Sequence, residues 1–379
     1  MANASPKGRQ YSIDWLRVIA VFLLIPYHSA MIFVTWGFHI KNASTSEGLT
    51  AFNAFLGMWQ MPLLFVLSGA GTWFALGFRT AREYVRERFR RLFVPLAMGM
   101  FLVVPPQVYL ERLQRRQFAG SYWSFYPHIF DGIYPAGNLS WHHLWFLAYL
   151  IVFSLILLPV FVLFKTERGR AFAGRLAPRF CRPGRLLLLA LPLMVVEATL
   201  RVRWHGDPNL IDDWANFFYY LTFFGVGFLL YSHETFAEAI ERQRTLFLGL
   251  ALGCVLVLKG LEWTRLRPAW GYSPGNMAFL AFGAFNAWCW VLALLGHSRR
   301  YLNFTSGILR YLAEAALPVY VLHQTIILMI GFHVIQWEAS IMAKFLVVLL
   351  TSLLATLAVY ELLVKRFRVT RFLCGMKDR

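Results

Sequence analysis

Cysteine is scarce in this sequence. Cys181, Cys254, Cys289 and Cys374 stand far apart, with no Cys-x-x-Cys pair and no histidine at ligand spacing. That pattern argues against a zinc or dithiol redox site, so no metal is expected. Charge is scarce too, at 15% of residues against 58% apolar. No interval between apolar runs is long enough to bury a core of its own, which leaves no room for a separate soluble domain. Acidic residues number 19 against 37 Lys and Arg. A net charge of +18 could suggest a nucleic-acid partner. The placement of the charges explains it better.

Apolar windows give ten expected spans, at 14–35, 50–77, 92–110, 143–164, 186–200, 212–231, 245–262, 276–296, 311–335 and 345–364. The expected fold is an all-α integral membrane protein, with 1–379 forming one membrane domain. The first run contains Arg17 and lacks a small-residue cleavage site, so it reads as a retained helix rather than a signal peptide. With the N-terminus on the cytoplasmic side, 26 of the 37 basic residues fall on that side and 9 on the other. By the positive-inside rule both termini are then cytoplasmic. The basic residues become topology signals and a surface for anionic lipid, and no nucleic-acid partner is expected.

The first span carries three ionisable residues, Asp14, Arg17 and His28. A charge at the bilayer centre costs a few kcal/mol even on mild scales, so such residues are rare without a role. Arg17 and His28 are eleven positions apart. On a straight helix that puts them within about 20° of one face and about 16 Å apart along the axis. Asp14 and Arg17, at i and i+3, can pair. Arg17 taken alone reads as snorkelling to headgroups. The pair on one face suits a ligand with an anionic head at one end and a reactive group at the other.

His323 lies at a depth comparable to His28, and "SWHHLWFLAYL" places His142, His143 and Trp145 at the outer mouth of the fourth span. Several histidines near one depth suggest a shared polar cavity. Glu197, near the outer end of the short fifth span, is at a suitable depth to orient His28. "FVLSGAG" (65–71) suits close helix packing, and no strand–turn–helix elbow makes Ser68 a nucleophile. "RTAREYVRERFRRLF" (79–93) reads either as an interfacial amphipathic helix or as a solvated basic loop. The aromatic-rich outer loop, 111–142, suits sugar rings or an interfacial belt equally.

At this point the residues resemble a known group. "DWLR" with His28 is similar to the Arg-x10-His signature of the membrane acyltransferase 3 family. The resemblance continues in order through "MPLLFVLSG", "RERFRRLFVP", "HLWFL", "LPVYVLHQ" and "YELLVKR", covering nearly the whole chain. Within the family it is closest in pattern to the subgroup that succinylates osmoregulated periplasmic glucans. Many members have Gly after the signature Arg, where this chain has Val18, and no fused esterase-like domain, of the kind that members acting on some other glycans carry, is expected here.

The resemblance implies a multi-pass protein of the bacterial cytoplasmic (inner) membrane. It implies a succinyl-CoA or acetyl-CoA donor on the cytoplasmic side and a glycan hydroxyl acceptor on the other. His28 and His323 are then the catalytic candidates. Arg17, with Asp14 and with Arg90 and Arg91 of the basic motif, would hold the donor, and His143 and Trp145 would face the acceptor. The chemistry agrees: O-acyl transfer needs a base for the hydroxyl, and a guanidinium fork suits a phosphate.

Two other classes fit the same cavity: a transporter using Arg17, His28 and His323 as a proton relay, and a lipid-linked glycan flippase. The two halves show no internal repeat of the kind many transporters have. The charge asymmetry makes a direct prediction. In intact spheroplasts, an impermeant thiol reagent should label Gly120→Cys and spare Arg175→Cys. Labelling at position 175 would overturn the orientation.

Overall fold

The computed structural model describes residues 10–377. Lys7, Arg9 and Arg379, which contribute to the charge asymmetry, lie outside the described residues. All named elements among the described residues are helical, and the single β-bridge, between Ile133 and Leu139, builds no strand.

Among the described residues, seven helices are long and apolar enough to cross a membrane: Tyr11–Met31, Glu47–Ala75, Ala81–Gln114, Arg244–Trp263, Pro274–Tyr301, Gly307–Val334 and Ile341–Val364. The other three expected spans are bent helix pairs, at His142–Lys165, Glu167–Leu200 and Trp214–Arg242. Counting each pair once gives ten. The short fifth span is part of the second pair. Its first six residues, Arg185–Ala190, form a 3-10 helix, and Leu191–Leu200 is α-helical. The longer 3-10 rise stretches these residues to about 27 Å, close to the hydrocarbon thickness of about 30 Å.

Apolar side chains point outward along several of these helices. Leu256, Val257, Leu350 and Leu354 are all more than half exposed. In water such surfaces would not stay solvated, and in a bilayer they need no other partner. The chain is a multi-pass membrane protein.

The helices gather into two compact units, each assembled from separated stretches of chain. One comprises the residues up to Arg17, Met58–Val85 and Val152–Arg310. Its centre is the close packing of Gln60–Ala75 against Trp214–Leu230. Gly69 and Gly227 permit the approach: a Cβ on Gly69 would lie 2.7 Å from the Phe228 nitrogen, and one on Gly227 2.7 Å from the Val66 α-carbon. Phe65, Phe153, Phe161, Phe224 and Phe228 fill the space around them, with Phe161 and Phe228 stacked 3.9 Å apart. The small residues of "FVLSGAG" thus serve packing, and the Ser68 hydroxyl bonds back to the Leu64 carbonyl at 2.8 Å.

The other unit comprises Val18–Gly57, Arg86–Ile151 and Tyr311–Arg379. Here proline shapes the helices. Pro26 has no N–H to offer the Phe22 carbonyl, and the first helix stops at Phe22 and resumes at Leu24. The helical ladder of the first span is therefore interrupted at Leu23, although the span continues as one helix. Within Ala81–Gln114, π-helical turns at Phe89–Phe93 and Gly99–Val103 precede and accommodate Pro95, Pro105 and Pro106. The basic segment 79–93 is thus helical rather than a loop, and it runs straight into the third span instead of ending before it.

Substituting Gly227 tests the close approach. Gly227→Val should cost about 1–3 kcal/mol through overpacking against backbone that has no room to move. Gly283→Ala, where nothing lies within 4 Å of the added carbon, should be neutral or slightly stabilising. Thermal unfolding in detergent reads both, and equal stability of the two variants would contradict this packing.

Candidate active site

His28 sits in Leu24–Met31, the segment that resumes after the proline break. The end of this segment is held by Lys41, whose ammonium donates to the Met31 carbonyl at 3.1 Å and to the Val34 carbonyl. These are carbonyls that a helix terminus leaves without intrahelical partners. Asn53 donates to the Tyr27 carbonyl at 3.0 Å, adjacent to His28. The ring of Phe38 lies parallel to His28, with centroids 6.2 Å apart and planes within 7°. His28 is half-buried, whereas His323 is fully enclosed.

His28 Nδ1 and His323 Nε2 are 2.8 Å apart. Which nitrogen carries the proton follows from the far side of His323. Its Nδ1 faces the carbonyls of Val319 and Tyr320, at 3.1 and 2.8 Å. Carbonyls only accept, so Nδ1 of His323 must be the N–H. In the neutral ring its Nε2 is then an acceptor, and His28 Nδ1–H donates to it. This leaves the lone pair of His28 on Nε2, the nitrogen not committed to His323. The geometry fixes the tautomer of His28 and leaves Nε2 as its acceptor nitrogen.

His143 is set by the same logic. Its Nε2–H donates to the Val321 carbonyl at 3.0 Å, and its Nδ1 lies 3.4 Å from the Gln107 amide nitrogen. Gln107 also donates to Thr325 Oγ1 at 2.7 Å and accepts from the Gln324 amide at 2.9 Å. Thr325 in turn donates to the Val103 carbonyl at 2.6 Å. That carbonyl is available because the kink before Pro105 turns the Gln107 N–H to Val104. The Tyr320 hydroxyl closes the network on the His143 carbonyl. The His143 ring stands edge-on to His323, 5.2 Å away. Each buried group here has a partner, and leaving one unpaired would cost about 1–3 kcal/mol.

The structure thus brings together three of the expected site residues, His28, His323 and His143. Arg17 and Asp14 belong to the other unit, where they form an ion pair at 3.2 Å. Arg17 lies against Gly71, where an added Cβ would come 3.6 Å from its guanidinium. That unit also holds a cleft of about 300 Å³ lined by Gln10, Trp73, Tyr231 and His233 among others. Arg90 and Arg91 lie in the first π-turn, Arg91 3.7 Å from Glu87 and Arg90 over the Phe372 ring at 5.5 Å. Trp145 packs along its own helix, on Phe146 and Tyr149. Glu197 is engaged within its own helix, where both its oxygens accept from Arg201, at 2.9 and 2.6 Å.

A second cluster has no counterpart in the sequence reading. His39, Glu111 and His142 each bring a donor atom within 4.8 Å of the others. His39 Nδ1 is 2.6 Å from Glu111 Oε2, and Arg115 and the Tyr134 hydroxyl reach Glu111 Oε1 at 2.8 and 3.1 Å. Burial, and then the charge of Glu111, push the Tyr134 phenol up to about 12, so it remains a donor at neutral pH. Arg112 fixes the surrounding loop through Gln117, Asn138 and the carbonyls of Pro135 and Gly137, at 2.7 to 3.0 Å. A polar residue within the third span, Gln107, was a visible signal for the first network. His39 and Tyr134 lie in loops and Glu111 in the last turn of the helix Pro105–Gln114, where histidine, tyrosine and glutamate are ordinary.

Comparison with known proteins identifies the family. The acyltransferase domain family (Acyl_transf_3) matches residues 10–361. Glucans biosynthesis protein C of Salmonella paratyphi A is 26% identical over 375 residues, covering 95% of this chain and 93% of the relative. The protein of the same description from Salmonella enteritidis PT4 is 26% identical over 376 residues, with the same coverage. No solved structure matches the chain. With the family match running over nearly its whole length, the chain belongs to the membrane acyltransferase 3 family and is an acyltransferase that transfers groups other than amino-acyl groups.

Proposed function

We propose that this enzyme carries an acyl group, succinyl or acetyl, from acyl-CoA on the cytoplasmic side to a hydroxyl of an extracytoplasmic glycan. The relatives' description as glucan biosynthesis proteins favours a periplasmic glucan as acceptor. Bacterial inner-membrane residence and cytoplasmic termini complete the reading, and the basic segments 79–91 and 165–185 would then meet anionic lipid. The observation that carries the proposal is the 2.8 Å bond between His28 and His323.

In this reading His28 Nε2 takes the proton of the attacking hydroxyl as its oxygen bonds to the thioester carbonyl carbon. The tetrahedral intermediate collapses, the C–S bond breaks, and the proton passes from His28 to the departing thiolate. His323 is enclosed, so we assign it as a positioning residue rather than one in contact with substrate. It fixes the tautomer, and its bond strengthens when His28 becomes an imidazolium. A hydrogen bond from a charged donor contributes about 1.5–3 kcal/mol, against about 0.5–1.5 for a neutral one. That difference favours the transition state over the ground state. Arg17 would hold a phosphate of the donor by its fork, with Asp14 orienting the guanidinium, and Arg90 and Arg91 would add positive charge on the same side. His143 and Trp145 are assigned to the acceptor side. Membership of an acyltransferase family disfavours the relay transporter and the flippase.

Separate variants distinguish these roles. His28→Ala should lower kcat by about 10² to 10⁴ and leave CoA binding intact. Arg17→Ala should weaken CoA binding, with Arg17→Lys recovering only part. Calorimetry with CoA and turnover of acyl-CoA by folded, purified protein read both. Near-normal turnover in His28→Ala would remove the base, and unchanged CoA affinity in Arg17→Ala would remove the anchor.

For His323 the expected signature is a loss in kcat without a change in KM for acyl-CoA. His323→Leu should cost about tenfold or more, in line with the hydrogen-bond difference above. His323→Gln, whose carbonyl can accept from His28, should restore part of the rate. Full activity in the leucine variant would sever His323 from the mechanism.

A further inference from the structure

We propose that His39, Glu111 and His142 form a binding site for one divalent transition-metal ion of the zinc type. Two imidazoles and one carboxylate are a donor set that suits zinc and its neighbours and disfavours magnesium or calcium. The three residues come from different segments of one unit: a loop after the His28 helix, the helix Pro105–Gln114, and the turn that opens the fourth span. Donor atoms within 4.8 Å of one another reach the spacing of roughly 3.4 Å around a tetrahedral ion through side-chain shifts of about 1 Å together with rotation of one imidazole.

The surroundings are those of ligands held ready. Glu111 is fully buried, and Arg115 and Tyr134 engage its Oε1 while Oε2 faces His39. The His142 side chain is buried, with Nδ1 held by Ser140 Oγ at 2.7 Å. Its Nε2 is shielded from solvent and has no hydrogen-bond partner. A neutral imidazole with one nitrogen fixed by a partner and the other unpaired is the arrangement of a metal-ligating histidine. His142 also has φ of +40°, a left-handed backbone that a non-glycine residue adopts at a cost. Packing alone does not account for both features. The His39 and His142 rings stack 4.1 Å apart with their planes 19° from parallel, and because an imidazole lone pair lies in the ring plane, one ring must turn for both nitrogens to meet one ion. An ion bound there would tie down Phe38, which lies along His28, and His143, which abuts His323.

The site does not depend on acyl transfer and is tested without it. Protein purified with a tag free of histidine is stripped with chelator and titrated with Zn²⁺ by calorimetry, with Co²⁺ as a spectroscopic substitute. We expect one ion per chain with Kd below about 10 µM, a rise in unfolding temperature with Zn²⁺, and visible ligand-field bands of low-coordinate Co²⁺. His142→Phe retains the ring stack while removing the nitrogen, and should weaken binding at least tenfold. Glu111→Gln, which keeps the shape of the side chain but replaces one acceptor oxygen with a donor NH2, should do the same. Wild-type affinity weaker than 10 µM, absence of the Co²⁺ bands, or unchanged affinity in whichever variants fold would each overturn the site.

Discussion

The hydrogen bond from His28 to His323 is the constraint around which this part of the molecule is organised. It has a direction only because His323 is anchored on two backbone carbonyls of its own helix. In an interior where water does not compete, an unpaired N–H or an unused lone pair is costly, so the tautomer of each ring is dictated by its neighbours. The same rule extends to His143, Gln107, Gln324 and Thr325, which bind helices of one unit into a satisfied polar network. The half-buried His28 is where that order reaches accessible space.

Irregular backbone makes the network possible. A regular helix through Pro105–Gln114 and the turn before it would keep the Val103 carbonyl within the helix ladder. The prolines at 105 and 106 remove two donors, and the displaced bonding leaves that carbonyl to Thr325. Pro26 acts likewise on the first span, ending one helical segment four residues before the proline and starting another that carries His28. These breaks are tolerated in an apolar setting because side chains and shifted turns satisfy the freed groups. Close packing in the other unit rests on the opposite property, the absence of side chains at Gly69 and Gly227.

The catalytic reading and the metal site meet through sequence neighbours. Phe38 and His39 are adjacent, as are His142 and His143. One member of each pair lies against the histidine pair, and the other belongs to the outer cluster. In the two proposals together, a cross-link at the outer cluster would reduce the freedom of the loop whose Phe38 lies along His28 and help exclude water from the proposed donor.

Much of this protein was legible in its sequence. Membrane spans follow from long apolar runs, because a bilayer demands some 20 such residues whatever the neighbours are. Packing through "FVLSGAG" was readable for a similar reason: small residues have few other uses on an apolar helix. His28 and His323 stood out because ionisable groups are rare inside such runs. Their mutual bond was not legible, since 295 positions separate them. Glu197 had a suitable depth but a nearer partner, Arg201, one turn away. His39, Glu111 and His142 gave no spacing signal, because spacing along the chain reports only ligands on one element. Local chemistry determined what each segment is, and tertiary structure alone decided which polar groups meet, because that depends on the packing of residues hundreds of positions apart.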